Sequence, residues 1–253
     1  MVNKMISIFK PKKIKDFNPK GLNIFTFNAG FKIRDKDLLL IIFDKIVNVC
    51  CVYSKTSTPS APIIWDKRNN KGKVKALVVN AGNANAHTGT DGLKIIDKYV
   101  KALSKKIECK LNEVLVSSTG VIGEKFNPNL ISSKFKNLDS KSKNSLLDGA
   151  KAIMTTDTYP KTHSEKIIGN ENFVINGIAK GSGMIAPNMA TMLAFIFTNF
   201  KIKKSLFPQF KEIVHRTFNS ITIDGDTSTS DMVLLFSLNE EKERYNSGNL
   251  KNF

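Results

Sequence analysis

The chain repeatedly joins a short, fully apolar strand to a segment of small and polar residues, and this pattern constrains its fold most. Apolar runs predict strands at residues 38–43, 46–53, 75–80, 113–118, 173–179, 192–198 and 231–238. The first two are expected to be buried strands joined by a tight turn. Apolar residues at helical spacing predict amphipathic helices at residues 93–107, 146–154 and 206–218. Strands and helices alternate without strict βαβ regularity, which indicates an α/β or α+β protein built around a layered sheet.

Four segments place small and polar residues directly against these strands. They are NAGNANAHTG (80–89), SSTGVIGE (117–124), MTTDTYPK (154–161) and AKGSGMIAPNMATMLAFIFT (179–198). Taken singly, each is typical of turn chemistry at a strand end. Gly-rich loops can also cradle phosphates, but none of these matches the P-loop or the dinucleotide fingerprint, so a nucleotide site is disfavoured. The polar run at 66–73, which follows Pro59 and Pro62, is predicted to be a surface loop.

The net charge of +17 suggests nucleic-acid binding at first sight. However, the cations are 35 lysines and four arginines scattered along the chain, whereas base and phosphate recognition favours the planar fork of Arg. The chain also carries no motif of a DNA- or RNA-binding module. A nucleic-acid partner is therefore disfavoured, although such a field would attract small acidic substrates.

The chain has the features of a cytoplasmic protein. No window approaches 18 consecutive apolar residues, so neither a transmembrane helix nor a membrane partner is expected. Residues 1–20 form a basic arm without the apolar run and cleavage site of a secretory signal. Three cysteines cannot build a disulfide framework, and the three histidines lack metal-ligand spacing. We therefore expect a reducing compartment and no bound metal.

The sharpest chemical signal is Thr191, which lies between a loop rich in Gly, Pro and Asn (181–188) and an apolar strand. Cleavage of the Ala190–Thr191 bond would give Thr191 a free α-amine with a reference pKa of about 7.7–8.0. That amine could act as the general base for the hydroxyl of the same residue. Thr119 and Gly120 could then supply a hydroxyl and a backbone N–H to an oxyanion. From the residues alone, this mechanism is one option among several.

The run KGSGMIAPNMATMLAFIFT resembles the autoprocessing signature of the ornithine acetyltransferase / glutamate N-acetyltransferase family of arginine biosynthesis. NAGNANAHTG, SSTGVIGE, AIMTTDTYPK and ITIDGDTSTSDMVLLF are similar to further blocks of that family, in the family's order, and KTSTPSAPIIWD (55–66) is a weaker match. The similarity extends over residues 21–236. It implies an α+β layered sandwich of the N-terminal-nucleophile type, with an α-chain region at 21–190 and a β-chain region at 191–253. Family members continue well past residue 253, so a C-terminal part of the site, including a substrate-binding glutamate, is expected to be missing.

The resemblance also assigns roles residue by residue. Thr191 corresponds to the nucleophile, and Ala190 precedes the self-cleaved bond. Thr119 and Gly120 correspond to the oxyanion hole, and Thr155 and Lys180 to residues that bind the amino-acid substrate. The Lys180 ammonium could hold a substrate carboxylate.

Other polar residues near these blocks receive non-catalytic predictions. The aspartates of DGDTSTSD (Asp224, Asp226 and Asp231) lack calcium-loop spacing, so we expect them to make capping and turn bonds beside the site. His87 stands where the family has Cys or another small residue. His163 and His215 are expected at the surface or in packing, and not in a catalytic triad.

The implied activity is a ping-pong acetyl transfer from N-acetylornithine to Thr191 and then to glutamate, with no cofactor. Some family members also accept acetyl-coenzyme A as donor, and the sequence leaves this open. The family forms α/β heterodimers that pair into heterotetramers. The alternatives are an N-terminal-nucleophile hydrolase such as an aminopeptidase or amidase, an inactive truncated remnant, and a nucleic-acid binder with steep salt dependence.

Overall fold

The computed structural model describes residues 11, 16, 19–138, 144–168, 172–182, 192–223 and 228–238. Within these ranges, eight strands form one hydrogen-bonded sheet: β1 (Leu22–Phe27), β2 (Leu38–Tyr53), β3 (Lys73–Asn83), β4 (Val114–Val121), β5 (Lys161–Ile167), β6 (Phe173–Lys180), β7 (Leu193–Thr198) and β8 (Met232–Ser237). The strand order is β4-β3-β2-β8-β7-β6-β5, and β1 pairs with β2 outside that path. The α-helices of the same ranges are α1 (Ala61–Asn69), α2 (Gly89–Lys106), α3 (Asn129–Ser132), α4 (Leu146–Ile153) and α5 (Phe207–Arg216).

The long strand β2 organises the sheet into two halves. Its first part pairs with β1 on one side and β3 on the other, and its last six residues pair with β8. The prediction of two strands joined by a tight turn is wrong, because the chain continues as one strand through a register shift between Ile42 and Val47. Asp44 and Lys45 lie exposed at this irregularity and do not reverse the chain.

The two halves of the sheet pack face to face. Leu39 and Ile41 share one buried core with Phe195 and Phe197 of the other half, whereas the neighbouring Leu40 faces a separate cluster. Such alternation follows from the two-residue period of a strand. Aromatic rings connect the two halves within the shared core: the centroid of Phe43 lies 6.4 Å from that of Phe197.

Helices cover the outer faces of this sandwich. Trp65 of α1 and Tyr99 of α2 are buried against the β1–β4 half, and Phe210 of α5 is buried against the β5–β8 half. Helix α4 contacts strands of both halves. The resulting helix–sheet–sheet–helix order confirms the predicted layered sandwich. The helices expected at 93–107, 146–154 and 206–218 are confirmed as α2, α4 and α5.

The predicted surface loop at 66–73 is partly wrong, because residues 66–69 belong to α1. Pro62 lies in the first turn of this helix, where its missing N–H leaves no hydrogen bond unmade, so it begins a helix and does not break one. Asp66 is buried, and its carboxylate accepts hydrogen bonds from the Val116 N–H at 3.1 Å and the Tyr53 hydroxyl at 3.2 Å. This buried carboxylate attaches α1 to the sheet.

Candidate active site

Polar strand ends from both halves of the sheet meet at one edge of the sandwich. Strands β7 and β8 run parallel with Leu193 opposite Met232, and β6 runs antiparallel to β7 with Lys180 opposite Leu193. The end of β6 and the beginnings of β7 and β8 therefore share an edge. Thr119, near the end of β4, reaches the same edge from the other half of the sheet.

A buried hydrogen bond joins these halves. The Nζ atom of Lys180 lies 3.1 Å from Oγ1 of Thr119, and the two residues are 2% and 0% exposed. A lysine ammonium carries donors only, so Thr119 Oγ1 is the acceptor and keeps its own hydroxyl proton to donate. Among the described residues, no hydrogen bond donated by the Thr119 hydroxyl is found, and the residue is 0% exposed.

Gly120 lies where β4 approaches β3 too closely for a side chain. Its φ is +132°, and a Cβ at this position would lie 2.3 Å from the carbonyl carbon of Gly82. The pairing of β3 with β4 is irregular at this point, between Gly82 and Asn83. Gly120 is exposed although Thr119 beside it is buried, so the two residues form a rim of the site with a hydroxyl and an accessible backbone.

A side-chain hydrogen bond joins the first two polar segments, and a second bond orders the first of them. Ser118 donates its hydroxyl proton to Oδ1 of Asn80 at 2.6 Å, and Asn80 Nδ2 donates to the carbonyl of Asn83 at 2.7 Å. Parallel pairing of β3 and β4 places Ala81 opposite Thr119. NAGNANAHTG and SSTGVIGE are therefore neighbours in the fold, although about 30 residues separate them in sequence.

The environment of Lys180 sets its protonation. Burial lowers the pKa of Lys180 to about 8, because an apolar surrounding disfavours the ammonium. The negative charges of Asp157 and Asp231 favour the ammonium, and the positive charges of Lys161 and Lys32 oppose it. Lys180 therefore remains mainly protonated at neutral pH and loses its charge in mildly alkaline solution.

Asp157 connects the segment of Thr155 to the end of β6. Its buried carboxylate accepts hydrogen bonds from the Gly181 N–H at 2.8 Å and the Thr155 N–H at 3.3 Å, and it pairs with the Lys161 ammonium. Burial acts to raise the pKa of Asp157, but the hydrogen bonds from Lys161 and Gly181 outweigh it and hold that pKa below its usual value. Thr155, which is half-buried, is thereby fixed near Lys180 through its backbone.

Asp231 fixes the start of β7. Its Oδ1 accepts a hydrogen bond from the Met192 N–H at 2.8 Å, which is a capping bond of the kind expected for this residue. Burial raises the pKa of Asp231 to about 7, and the Met192 N–H, a hydrogen bond from the Ser228 side chain and the charge of Lys180 act in the opposite direction.

Four residues named from the sequence lie outside the described ranges: Ala190, Thr191, Asp224 and Asp226. The described residues contain no group of three or more His, Cys, Asp or Glu side chains that could hold a metal ion. All three histidines are exposed, which for His163 and His215 agrees with the expected surface position. A search of the described helices finds none with the length and apolarity that a membrane span requires.

The family of this chain is identified by its similarity to known protein families. The sequence model of the ArgJ family matches residues 23–253. The chain belongs to the ArgJ family. Among curated ArgJ relatives, the arginine biosynthesis bifunctional protein ArgJ of Bartonella henselae is 41% identical over 93% of this chain and 59% of its own length. That of Brucella suis is 43% identical over 88% of this chain and 55% of its own length. The chain thus spans somewhat more than half the length of the curated ArgJ relatives it matches.

Solved structures agree with the ArgJ assignment. The crystal structure of the ArgJ protein from Bacillus halodurans is similar with a TM-score of 0.60 and 29% identity, over 68% of this chain and 91% of that chain. The ornithine acetyltransferase of Mycobacterium tuberculosis, solved with ornithine, has a TM-score of 0.58 at 24% identity, over 69% of this chain and 93% of that chain. The L-aminopeptidase D-Ala-esterase/amidase of Ochrobactrum anthropi, described as a variant of the Ntn hydrolase fold, has a TM-score of 0.53 at 12% identity over 92% of this chain and 78% of that chain. These neighbours confirm the predicted fold type.

Sequence reasoning missed one buried acidic residue of the candidate site, Asp157. It stands inside the block MTTDTYPK, but only Thr155 of that block was named. Asp157 acts mainly on backbone N–H groups, which no side-chain pattern reveals. The available signal was an acidic residue between two predicted substrate-binding residues in a strongly basic chain.

Proposed function

We propose that this chain is the acyl-transferring portion of an ArgJ-type enzyme. It cleaves itself between Ala190 and Thr191, and Thr191 then carries an acetyl group from N-acetylornithine to glutamate. The observation that carries this proposal is the buried contact between Lys180 and Thr119, in which Thr119 accepts and keeps its own hydroxyl proton, at the edge where the chain enters β7. Membership of the ArgJ family supports the choice of this reaction.

The chemistry follows from a free α-amine on Thr191. That amine takes the proton of the Thr191 hydroxyl while Oγ bonds to the acetyl carbonyl carbon. The oxyanion receives hydrogen bonds from the Thr119 hydroxyl and the Gly120 N–H. Collapse breaks the bond to nitrogen, and the departing α-amine of ornithine takes the proton back. Glutamate then attacks the acetyl-threonine by the same steps in reverse.

Charge favours amino-acid substrates at this edge. In this proposal the Lys180 ammonium binds the substrate carboxylate, and Thr155 contributes a hydroxyl beside it. With a pKa of about 8, Lys180 is charged at neutral pH. The net charge of +17 also attracts anionic substrates from solution.

Chain lengths support the position of cleavage. Because 68% of this chain spans 91% of the Bacillus halodurans chain, the solved chain is about three quarters as long as this one. Residues 1–190 make up a similar share of the present sequence. We propose accordingly an α chain ending at residue 190, a β chain beginning at Thr191, and association of these heterodimers into a heterotetramer in the cytoplasm. Acetyl-coenzyme A is a candidate second donor.

A second candidate function is hydrolysis by the same nucleophile. The fold likeness to the Ochrobactrum anthropi aminopeptidase favours it, since water could replace glutamate as the acyl acceptor. The transferase and the hydrolase differ in where the acetyl group goes, to glutamate in the first and to water in the second.

The test follows an isotopically labelled acetyl group. The purified chain is incubated with labelled N-acetylornithine, with and without glutamate, and its peptides are analysed by mass spectrometry. The proposal expects label on the peptide beginning at Thr191 without glutamate, and labelled N-acetylglutamate when glutamate is added. Labelled acetate formed at the same rate in both samples would favour the hydrolase. No label on protein or product would contradict both activities.

A further inference from the structure

We propose that Asp157 is a positioning residue that holds the Lys180 ammonium in place against Thr119. This inference deepens the proposed function and rests on it for the role of Lys180 in substrate binding. The position of Lys180 against Thr119 does not depend on that function. Asp157 is buried and is hydrogen-bonded to Gly181, the neighbour of Lys180 in the chain, so it acts through Lys180 and the backbone around it.

Three donors meet at the Asp157 carboxylate, and one of them comes from a distant part of the chain. Gly181, which follows β6, donates its backbone N–H across 24 residues. Thr155 donates a backbone N–H and Lys161, the first residue of β5, donates from its ammonium, both from the stretch of chain around Asp157 itself. A second contact joins the same two segments, since the hydroxyls of Thr156 and Ser182 lie 2.7 Å apart. Because a carboxylate has about four acceptor sites, one side chain can accept from all three donors and join its own segment to the end of β6.

The bond to Gly181 bears directly on Lys180, its neighbour in the chain. Gly181 has a φ of +148°, a backbone conformation that side chains other than hydrogen rarely allow. The Asp157 carboxylate holds the N–H of this turn at 2.8 Å. It therefore fixes the backbone from which the Lys180 side chain extends towards Thr119.

The charge of Asp157 also acts on Lys180. Among the described residues, the charged groups acting on Lys180 are Asp157 from the segment after α4, Asp231 before β8, Lys161 of β5 and Lys32 from the segment between β1 and β2. Neutralising Asp157 would leave two cations and one carboxylate of this set around the ammonium. The proton of Lys180 should then be lost at lower pH, a change that a purely structural role for Asp157 does not predict.

The test titrates Lys180 directly by NMR of protein carrying 13C at the lysine ε-carbons. In the wild-type chain, one resonance should titrate near pH 8, well below the value of about 10.4 usual for lysine, and be absent from Lys180→Met. Asp157→Asn should lower that midpoint by about one pH unit. Asp97→Asn, which removes an exposed carboxylate paired with Lys101, should leave it unchanged. An unchanged midpoint in Asp157→Asn would overturn the proposal.

A second variant covers the case in which Asp157→Asn fails to fold. Lys161 is partly exposed, and its charge opposes that of Lys180. Lys161→Met should therefore raise the Lys180 midpoint, and a midpoint that stays or falls would contradict the proposal. This titration requires neither cleavage nor turnover. A shifted midpoint in an inactive chain would refute the proposed function alone, whereas an unshifted midpoint in an active chain would refute only the role of Asp157.

Discussion

Lys180 donates a hydrogen bond to Thr119 at 3.1 Å, although 61 residues separate the two along the chain. The contact joins the end of β6 to the end of β4, in opposite halves of the sandwich. It is formed only when both halves are packed on their shared core. Substrate binding and oxyanion stabilisation, as proposed for these two residues, therefore depend on one tertiary contact.

Replacing Lys180 by Met should impair transfer much more than folding. The substitution keeps an unbranched side chain but removes the ammonium, so kcat/KM for acetyl transfer should fall by about 10- to 100-fold, as expected for loss of a hydrogen bond from a charged group. The free energy of unfolding should change by less than about 2 kcal/mol, measured by urea denaturation. A large loss of stability with unchanged kcat/KM in the folded fraction would contradict the assignment.

Replacing Thr119 by Val should remove the proposed oxyanion donor with little change of shape. We expect kcat to fall by about 100- to 1,000-fold, because such donors act mainly in the transition state. Thr119→Ser, which restores the hydroxyl, serves as the matched control and should recover most of the rate. Steady-state kinetics with N-acetylornithine and glutamate would measure both, and equal kcat values for Val and Ser would exclude this role.

The glycine at 120 is expected to be required for folding of the β3–β4 edge. An Ala side chain there would collide with the Gly82 backbone and would also hold φ at +132°, so Gly120→Ala should lower the free energy of unfolding by at least about 2 kcal/mol. Gly123 offers a control, since its φ is +88° but a Cβ there has no neighbour within 4 Å. Gly123→Ala should lose only about 1 kcal/mol. Similar losses for the two variants in urea denaturation would show that the close approach to Gly82 is unimportant.

Asp231 should make stability fall as pH rises towards neutrality. Burial raises its pKa to about 7 in the folded chain, so between about pH 4 and 7 the folded state binds this proton more tightly than the unfolded state does. The stability it contributes is present at low pH and is lost as pH rises through 7. Asp231→Asn keeps an oxygen acceptor for the Met192 N–H and removes the titration. The free energy of unfolding of the variant minus that of wild type should therefore be larger at pH 7.5 than at pH 5, by more than about 1 kcal/mol. The variant is thus stabilised relative to wild type at the higher pH. A constant difference between the two pH values would contradict this.

The amino-acid sequence predicts the fully apolar strands and the amphipathic helices well, because their burial follows simple periodicity. It misses β1 and β5. The β5 sequence KTHSEKI is polar, has no fully buried residue and so carries no apolar alternation. It also misinterprets Asp44–Lys45 as a turn, because a polar pair between apolar runs looks alike in a hairpin and in a bulged strand. Whether such a strand continues depends on its neighbours, here β1 and β8, which lie far away in sequence.

The candidate site divides in the same way between local and tertiary features. Local sequence blocks and the family resemblance predict Thr119, Gly120, Thr155 and Lys180, and these assignments stay predictions. The contact between Lys180 and Thr119 could not be predicted, because it depends on how the two halves of the sheet face each other. Nor could the role of Asp157, which acts through N–H groups of residues before and after β5 and β6.

The central claim is that this chain liberates the amine of Thr191, and the mass of the purified protein tests it most directly. Intact-mass spectrometry of the wild-type chain should show two fragments that meet between Ala190 and Thr191. Thr191→Ala should give a single uncut chain, and Thr191→Ser, which retains a hydroxyl, should give slower but detectable cleavage. A wild-type chain that is folded and remains uncut would contradict the account.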